Sequence, residues 1–134
     1  MLTSILFAMN DAPTDRLVLD SQLCFALYRA NRAVVRSYRP LLEDLGLTYP
    51  QYLAMVALWD AEGVTVGELG QRLGLESSTL TPLLKRLEAL ELVSRARDPK
   101  DERQVRLSLT EKGRALREPA CTVPVELTTA SGMT

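Results

Sequence analysis

The sequence predicts a mainly α-helical fold with a small β-hairpin wing, the winged helix-turn-helix arrangement. Three observations carry that expectation. Residues 15–38 contain neither Gly nor Pro and repeat apolar side chains at helical spacing. Two short capped segments then meet at Gly74. Directly after them, a basic period-two pattern runs on either side of the charged turn Asp98-Pro99-Lys100-Asp101-Glu102-Arg103. A chain of 134 residues with 46% hydrophobic content suits one domain with a core of its own.

In residues 15–38, Leu19, Leu23, Ala26, Leu27, Ala30 and Val34 form one stripe, and Arg29, Arg32 and Arg36 occupy much of the other side. Pro40 should kink or restart the path, leaving Leu41–Leu45 as a short helical piece closed by Gly46. Thr48 caps a second long helix, with Gln51 as its capping-box partner and Pro50 tolerated in the first turn. That helix carries Tyr52, Met55, Val56, Leu58 and Trp59 and stops before Gly63. Thr65 and Glu68 repeat the capping box, so Val66–Leu73 is a short helix. Gly74 interrupts it, and Ser77 or Ser78 begins the next, whose core stripe is Leu80, Leu83, Leu84 and Leu87. A helix pair separated by a tight Gly turn is a helix-turn-helix, a weak signal alone.

The hairpin strengthens it. Val93, Arg95 and Arg97 lead into the turn, and Arg103, Val105, Leu107 and Leu109 resume the alternation with Gln104, Arg106 and Ser108 between them. Thr110 then caps a last helix near Glu111, which Pro119 and Pro124 disrupt early. The polar tail Thr128–Thr134 has no periodicity and is expected to be loosely packed.

Charge is unevenly placed. The formal net charge is −1, yet residues 72–117 hold eleven Lys or Arg against seven Asp or Glu, while residues 1–71 hold five against eight. Positive charge gathered in one section suits a module that faces a duplex, although solvated helix pairs also show it. With no His and two distant cysteines, neither a metal signature nor a disulfide scaffold is legible, and no cofactor motif or glycine-rich phosphate loop is present. No apolar run approaches the roughly 18 to 20 residues of a membrane span. The apolar start Met1–Met9 has no basic residues before it, so we expect no signal peptide and a cytoplasmic protein.

On the second helix of the pair, Ser77, Ser78, Thr79 and Thr81 are short donors and acceptors suited to base edges. Lys85 and Arg86 follow one to two turns later, and Pro82 offers an apolar surface to a thymine methyl. At the wing, Arg97, Lys100 and Arg103 can follow phosphates or probe a minor groove. The bland alternatives are capping for the hydroxyls and a turn-stiffening pair of Arg103 with Asp98 or Asp101. Arg106 and Arg114 read as solvated surface.

Cys24 lies in the apolar run Leu23-Cys24-Phe25-Ala26-Leu27-Tyr28. Such a cysteine is usually an inert core filler; reactivity requires a stabilised thiolate and access for an oxidant. Tyr28 lies one helical turn away, and Tyr38 and Tyr49 are further phenols able to donate to a thiolate. An apolar rim of Leu23, Phe25 and Leu27 suits an organic peroxide.

The Cys24 run, with Tyr38-Arg39-Pro40-Leu41-Leu42 and Leu47-Thr48-Tyr49-Pro50-Gln51-Tyr52, resembles the organic hydroperoxide resistance regulators, a branch of the MarR superfamily. Thr79-Leu80-Thr81-Pro82-Leu83-Leu84-Lys85-Arg86-Leu87-Glu88 and residues 98–110 are similar to their recognition helix and wing. The resemblance covers roughly residues 17–118. It implies a MarR-like homodimeric repressor, not an enzyme, bound to pseudo-palindromic operator DNA upstream of a peroxide-detoxification gene. Cys24 would be the peroxidatic thiol, Tyr38 and Tyr49 its hydrogen-bond partners, and Tyr28 a neighbour from the other subunit. Organic hydroperoxide would oxidise Cys24 to sulfenic acid, and a low-molecular-weight thiol would complete the release.

The same resemblance divides a single domain of residues 1–134 into a helical dimerisation and sensor part, residues 1–64 and 111–134, and a DNA-binding part, residues 65–110. Two departures accompany it. Where some relatives carry a resolving cysteine this chain has Thr129, with Cys121 eight residues earlier, so a one-cysteine route is expected. Relatives continue into another long dimer helix, whereas this chain stops at Thr134, implying a weakened dimer. The leading alternative is a related regulator released by a small aromatic ligand without covalent chemistry. A thiol peroxidase has no use for a basic wing, and a purely partner-binding winged helix predicts no operator binding at low salt.

Overall fold

The computed structural model describes residues 17–132. The apolar start, the first two residues of the stretch 15–38 and the last two residues of the polar tail lie outside the described residues. Two compact units make up the chain, one ending at Ser37 and the other running from Tyr38.

In the first unit a 3-10 turn, Leu19–Ser21, precedes helix α1, Leu23–Glu43. Within the described part of the expected helix, α-helical structure begins at Leu23. Val18 and Gln22 are extended, and Asp20 and Ser21 between them are residue types whose side chains compete with helical backbone bonds. Leu23, Leu27, Tyr28 and Val34 of α1 are exposed in the single chain.

Helix α1 continues past Pro40, so Leu41–Glu43 are its last residues and not a separate piece. Proline removes one backbone donor, opposite the Arg36 carbonyl. Both residues lie on the exposed side, where water can satisfy that carbonyl.

Helix α2, Tyr49–Asp60, starts at the expected capping box. Gln51 N–H donates to Thr48 Oγ1 at 3.4 Å, and Thr48 N–H donates to Gln51 Oε1 at 2.9 Å. Thr65 and Glu68 do the same for helix α3, Val66–Leu73, at 3.1 and 3.2 Å. Gly74 ends α3 in the left-handed region, φ 65°, which only glycine enters at no steric cost. Helix α4, Ser77–Ala89, follows and buries Leu80, Leu83, Leu84 and Leu87. Those leucines join Met55 and Leu58 of α2 and Leu69 of α3 in one core.

Strands β1, Val93–Asp98, and β2, Asp101–Leu109, form the antiparallel wing, pairing Val93 with Leu109 and Arg97 with Val105. Beside β2 lies the loop after α2. Gly63 N–H donates to the Leu107 carbonyl at 3.1 Å, and Leu107 N–H to the Val64 carbonyl at 2.9 Å. The wing is thus sewn to the chain that enters α3.

After the wing come α5, Glu111–Ala115, α6, Arg117–Ala120, and α7, Val123–Ser131. The last corrects the expectation of a loose tail from Thr128. Pro124 sits in the first turn of α7, where its missing N–H costs nothing, and buried Val123 anchors the helix. Trp59 Nε1 donates to the Gly113 carbonyl at 2.8 Å, holding α5 against α2.

Gly113 has no room for a side chain, since a Cβ there would stand 2.1 Å from the Leu92 carbonyl oxygen. Gly113→Ala should therefore destabilise the chain by about 1–3 kcal/mol, read as a lowered Tm. An unchanged Tm would show that the α5–wing contact yields freely.

Candidate nucleic-acid interface and thiol site

Burial of the leucine stripe turns the other side of α4 outward. Ser77, Ser78 and Thr79 are exposed and Thr81 is half-buried. The N-cap of α4 is Glu76, with no side-chain capping bond, so neither serine is consumed as a cap. That removes the bland explanation for both hydroxyls. Pro82, Lys85 and Arg86 are also exposed and stand on the same helix.

The wing tip is built by side chains. Asp98 Oδ1 accepts from Lys100 N–H at 2.9 Å across the Pro99 turn. Arg103 pairs with Asp101 at 3.2 Å yet keeps 91% of its side chain exposed. Among the described residues Lys85, Arg86, Arg97 and Lys100 form no ion pair. Unpaired cations on α4 and at the wing give an exposed surface with unspent donors for phosphate.

Arg106 does not behave as solvated surface. Its Nε donates to Asp98 Oδ2 at 2.8 Å and its Nη1 to the Gly63 carbonyl at 2.7 Å. Asp98 takes Arg106 and not Arg103, because Arg106 lies opposite Ala96 and diagonal to Asp98 across the hairpin. Arg114 likewise pairs with Glu62, which also accepts from Leu109 N–H at 3.2 Å. Arg95 bonds Glu88 of α4 at 2.8 Å and ties β1 to that helix.

In the first unit Cys24 is a free, exposed thiol on α1. Tyr28, one turn on, is exposed, and its hydroxyl accepts from Arg32 Nη1 at 3.4 Å. In the second unit Tyr38 and Tyr49 meet with ring centroids 4.7 Å apart. Tyr52 completes a triad at 5.8 Å from Tyr38 and 6.4 Å from Tyr49. Burial, then the neighbouring Tyr49, raises the Tyr38 phenol above its ordinary value. Burial, then Tyr38, Tyr49 and Cys121, raises that of Tyr52. Both phenols therefore stay protonated, as donors, at neutral pH. Cys121 is free and exposed, with its Sγ 3.2 Å from the Arg117 carbonyl. Among the described residues no group of three Cys, Asp or Glu side chains is placed to hold a metal, and no helix is long and apolar enough to cross a membrane.

The model of the transcriptional regulator SarA/Rot family matches residues 36–118. The organic hydroperoxide resistance transcriptional regulator of Bacillus subtilis is 49% identical over 110 residues, covering 82% of this chain and 75% of the relative. The chain belongs to the organic hydroperoxide resistance branch of the MarR-type transcriptional regulators. The regulator TtmR of Methylorubrum extorquens is 56% identical over 116 residues, 87% of this chain and 60% of TtmR, so the chain spans less than two thirds of that relative. Among solved structures, reduced AbfR bound to DNA is similar at a TM-score of 0.73 and 39% identity, over 78% of this chain and 77% of that one. AbfR of Staphylococcus epidermidis gives 0.66 and 40%, over 78% and 71%.

Tyr52, Arg95 and Arg106, which the geometry brings beside the candidate residues of this MarR-type chain, are not among the site residues expected from sequence. Tyr52 read as core, although its spacing of three from Tyr49 already put both on one helical face. Arg95 reads from sequence only as part of the hairpin's basic alternation, and Arg106 as solvated surface. Period two alone puts Arg106 on the outward face of the hairpin; its diagonal place beside Asp98 follows from the register shift between Arg97 and Asp98.

Hydrogen bonds from Lys100 N–H and then from Arg106 hold the Asp98 carboxyl below its ordinary range. A lowered folded pKa stabilises above the unfolded value, about 3.9, and the benefit disappears as pH falls through the folded value. Wild type should thus exceed Asp98→Asn in Tm at about pH 7, with the gap closing below about pH 4. A gap independent of pH would mean that the carboxylate charge is not what matters.

Proposed function

We propose that the chain is a DNA-binding repressor of a peroxide-detoxification gene, released from a pseudo-palindromic operator when organic hydroperoxide oxidises Cys24. One observation carries the reading: in a chain of this branch, Cys24 is a free, solvent-facing thiol. The exposed apolar residues of α1, Leu23, Leu27 and Val34, suit a homodimer contact. In that dimer, residues 1–64 and 111–134 supply the dimerisation and sensor part, and residues 65–110 read DNA.

Each α4 enters a major groove, with Ser77, Ser78, Thr79 and Thr81 toward base edges, Pro82 toward a thymine methyl, and Lys85 and Arg86 toward phosphates. Arg97, Lys100 and Arg103 hold the flanking backbone. The Cys24 thiolate attacks the terminal peroxide oxygen; the S–O bond forms, the O–O bond breaks, and the organic alcohol leaves with the proton. Tyr38 and Tyr49, with Tyr28 of the second subunit, donate to the thiolate beforehand. A low-molecular-weight thiol then condenses with the sulfenic acid, releasing water and leaving a mixed disulfide. Cys121 stands outside this sequence.

A second reading, release by a small aromatic ligand, is favoured by a cleft of about 260 Å³ lined by Tyr52, Val56, Trp59, Arg117 and Pro124. Mobility shifts on a duplex enriched from a random pool by the wild type separate the two. Cumene hydroperoxide with a small thiol should weaken wild-type binding about 1,000-fold, to the non-specific level, and leave Cys24→Ser bound. Release that survives Cys24→Ser favours the ligand reading. Mass spectrometry of the oxidised protein should find Cys24 alone modified; a quantitative Cys24–Cys121 disulfide would overturn the one-cysteine route.

A further inference from the structure

We propose that Arg106 is a positioning residue for DNA recognition, fixing the wing tip through Asp98 and the Gly63 carbonyl without itself contacting phosphate. The inference rests on the DNA-binding reading above. Two of the guanidinium's donors are committed within the protein, at 2.8 Å to Asp98 Oδ2 and 2.7 Å to the Gly63 carbonyl. The arrangement spans two otherwise separate features. Asp98, with only 7% of its side chain exposed, also holds Lys100 N–H, and so fixes the turn that displays Lys100 and Arg103. Gly63 belongs to the loop that leads into α3, where Thr65 bridges to Arg106 by backbone pairing.

Without Arg106 the hairpin keeps its strand bonds, but the turn loses its anchor to the helix pair and the buried Asp98 carboxylate loses its cation. The spacing between the α4 hydroxyls and the wing cations, which must match groove to backbone, is then no longer set. Arg95 holds the core-side face of the same hairpin to Glu88, so Arg106 is the counterpart on the opposite face.

The test titrates wild type, Arg106→Gln, Asp98→Asn and the double variant against the enriched duplex over a salt series. Positioning predicts that each single variant weakens binding about tenfold, as loss of a charge-assisted hydrogen bond does. The double variant should bind no more weakly than the worse single, because the two residues act as one unit. The slope of log affinity against log salt should match the wild type in all three. A slope reduced by about 0.9 for each chain would make Arg106 a phosphate contact and overturn the proposal. So would multiplicative losses, or variants that bind as tightly as the wild type. Asp98→Asn keeps an oxygen for Lys100 N–H, so it carries the same test if Arg106→Gln does not fold. A wild type that enriches no duplex defeats the repressor reading itself, whereas a wild type that binds beside equally tight variants defeats only the role of Arg106.

Discussion

Burial of the leucine stripe of α4 is the constraint on which the rest of the second unit depends. Leu80, Leu84 and Leu87 are essentially inaccessible and Leu83 nearly so. Each such side chain contributes about 1.5–3 kcal/mol by leaving water, far more than any exposed contact on the helix. The rotation of α4 about its axis is therefore fixed by the core. Its outward face carries hydroxyls that do not cap the helix, and Lys85 and Arg86, which form no ion pair among the described residues.

The wing obeys the same logic with different forces. Its core side is held by Val93, Leu107 and Leu109, all buried. Beyond those residues apolar packing runs out, and charged side chains take over at Asp98, Arg106 and Glu62. A charge-assisted hydrogen bond is directional where burial is not, which is what a projecting hairpin tip needs to hold one position. The bonds between Gly63–Val64 and Leu107 put that tip in register with the helix pair.

Much of this was legible in the residues. Thr48 with Gln51 and Thr65 with Glu68 marked two helix starts because capping is a local, short-range interaction. Gly74 marked the turn because no other residue sits easily in the left-handed region. The α4 leucines and the β2 alternation showed the inward faces by period alone, and the DNA-facing candidates followed as what remained. Features that depend on a distant partner were not legible. Pro40 is tolerated because its lost bond lies toward solvent, and α7 extends to Ser131 because Val123 finds the core. Glu91 adopts a left-handed conformation usually left to glycine, held by Thr110 Oγ1 donating to its carbonyl at 2.6 Å. The Arg106–Asp98 pair depended on strand register, and the Tyr38–Tyr49–Tyr52 triad on the packing of α2 against the last turns of α1.

In the proposed switch, oxidation of one sulfur governs occupancy of DNA. The most direct test follows both quantities in one sample. The chain bound to a fluorescent duplex is titrated with cumene hydroperoxide beside a small thiol. Anisotropy reports release, and intact mass after thiol blocking reports total Cys24 oxidation. The released fraction should rise with the oxidised Cys24 fraction throughout the titration. Duplex leaving while Cys24 is still a thiol, or duplex held by a fully oxidised chain, would contradict it.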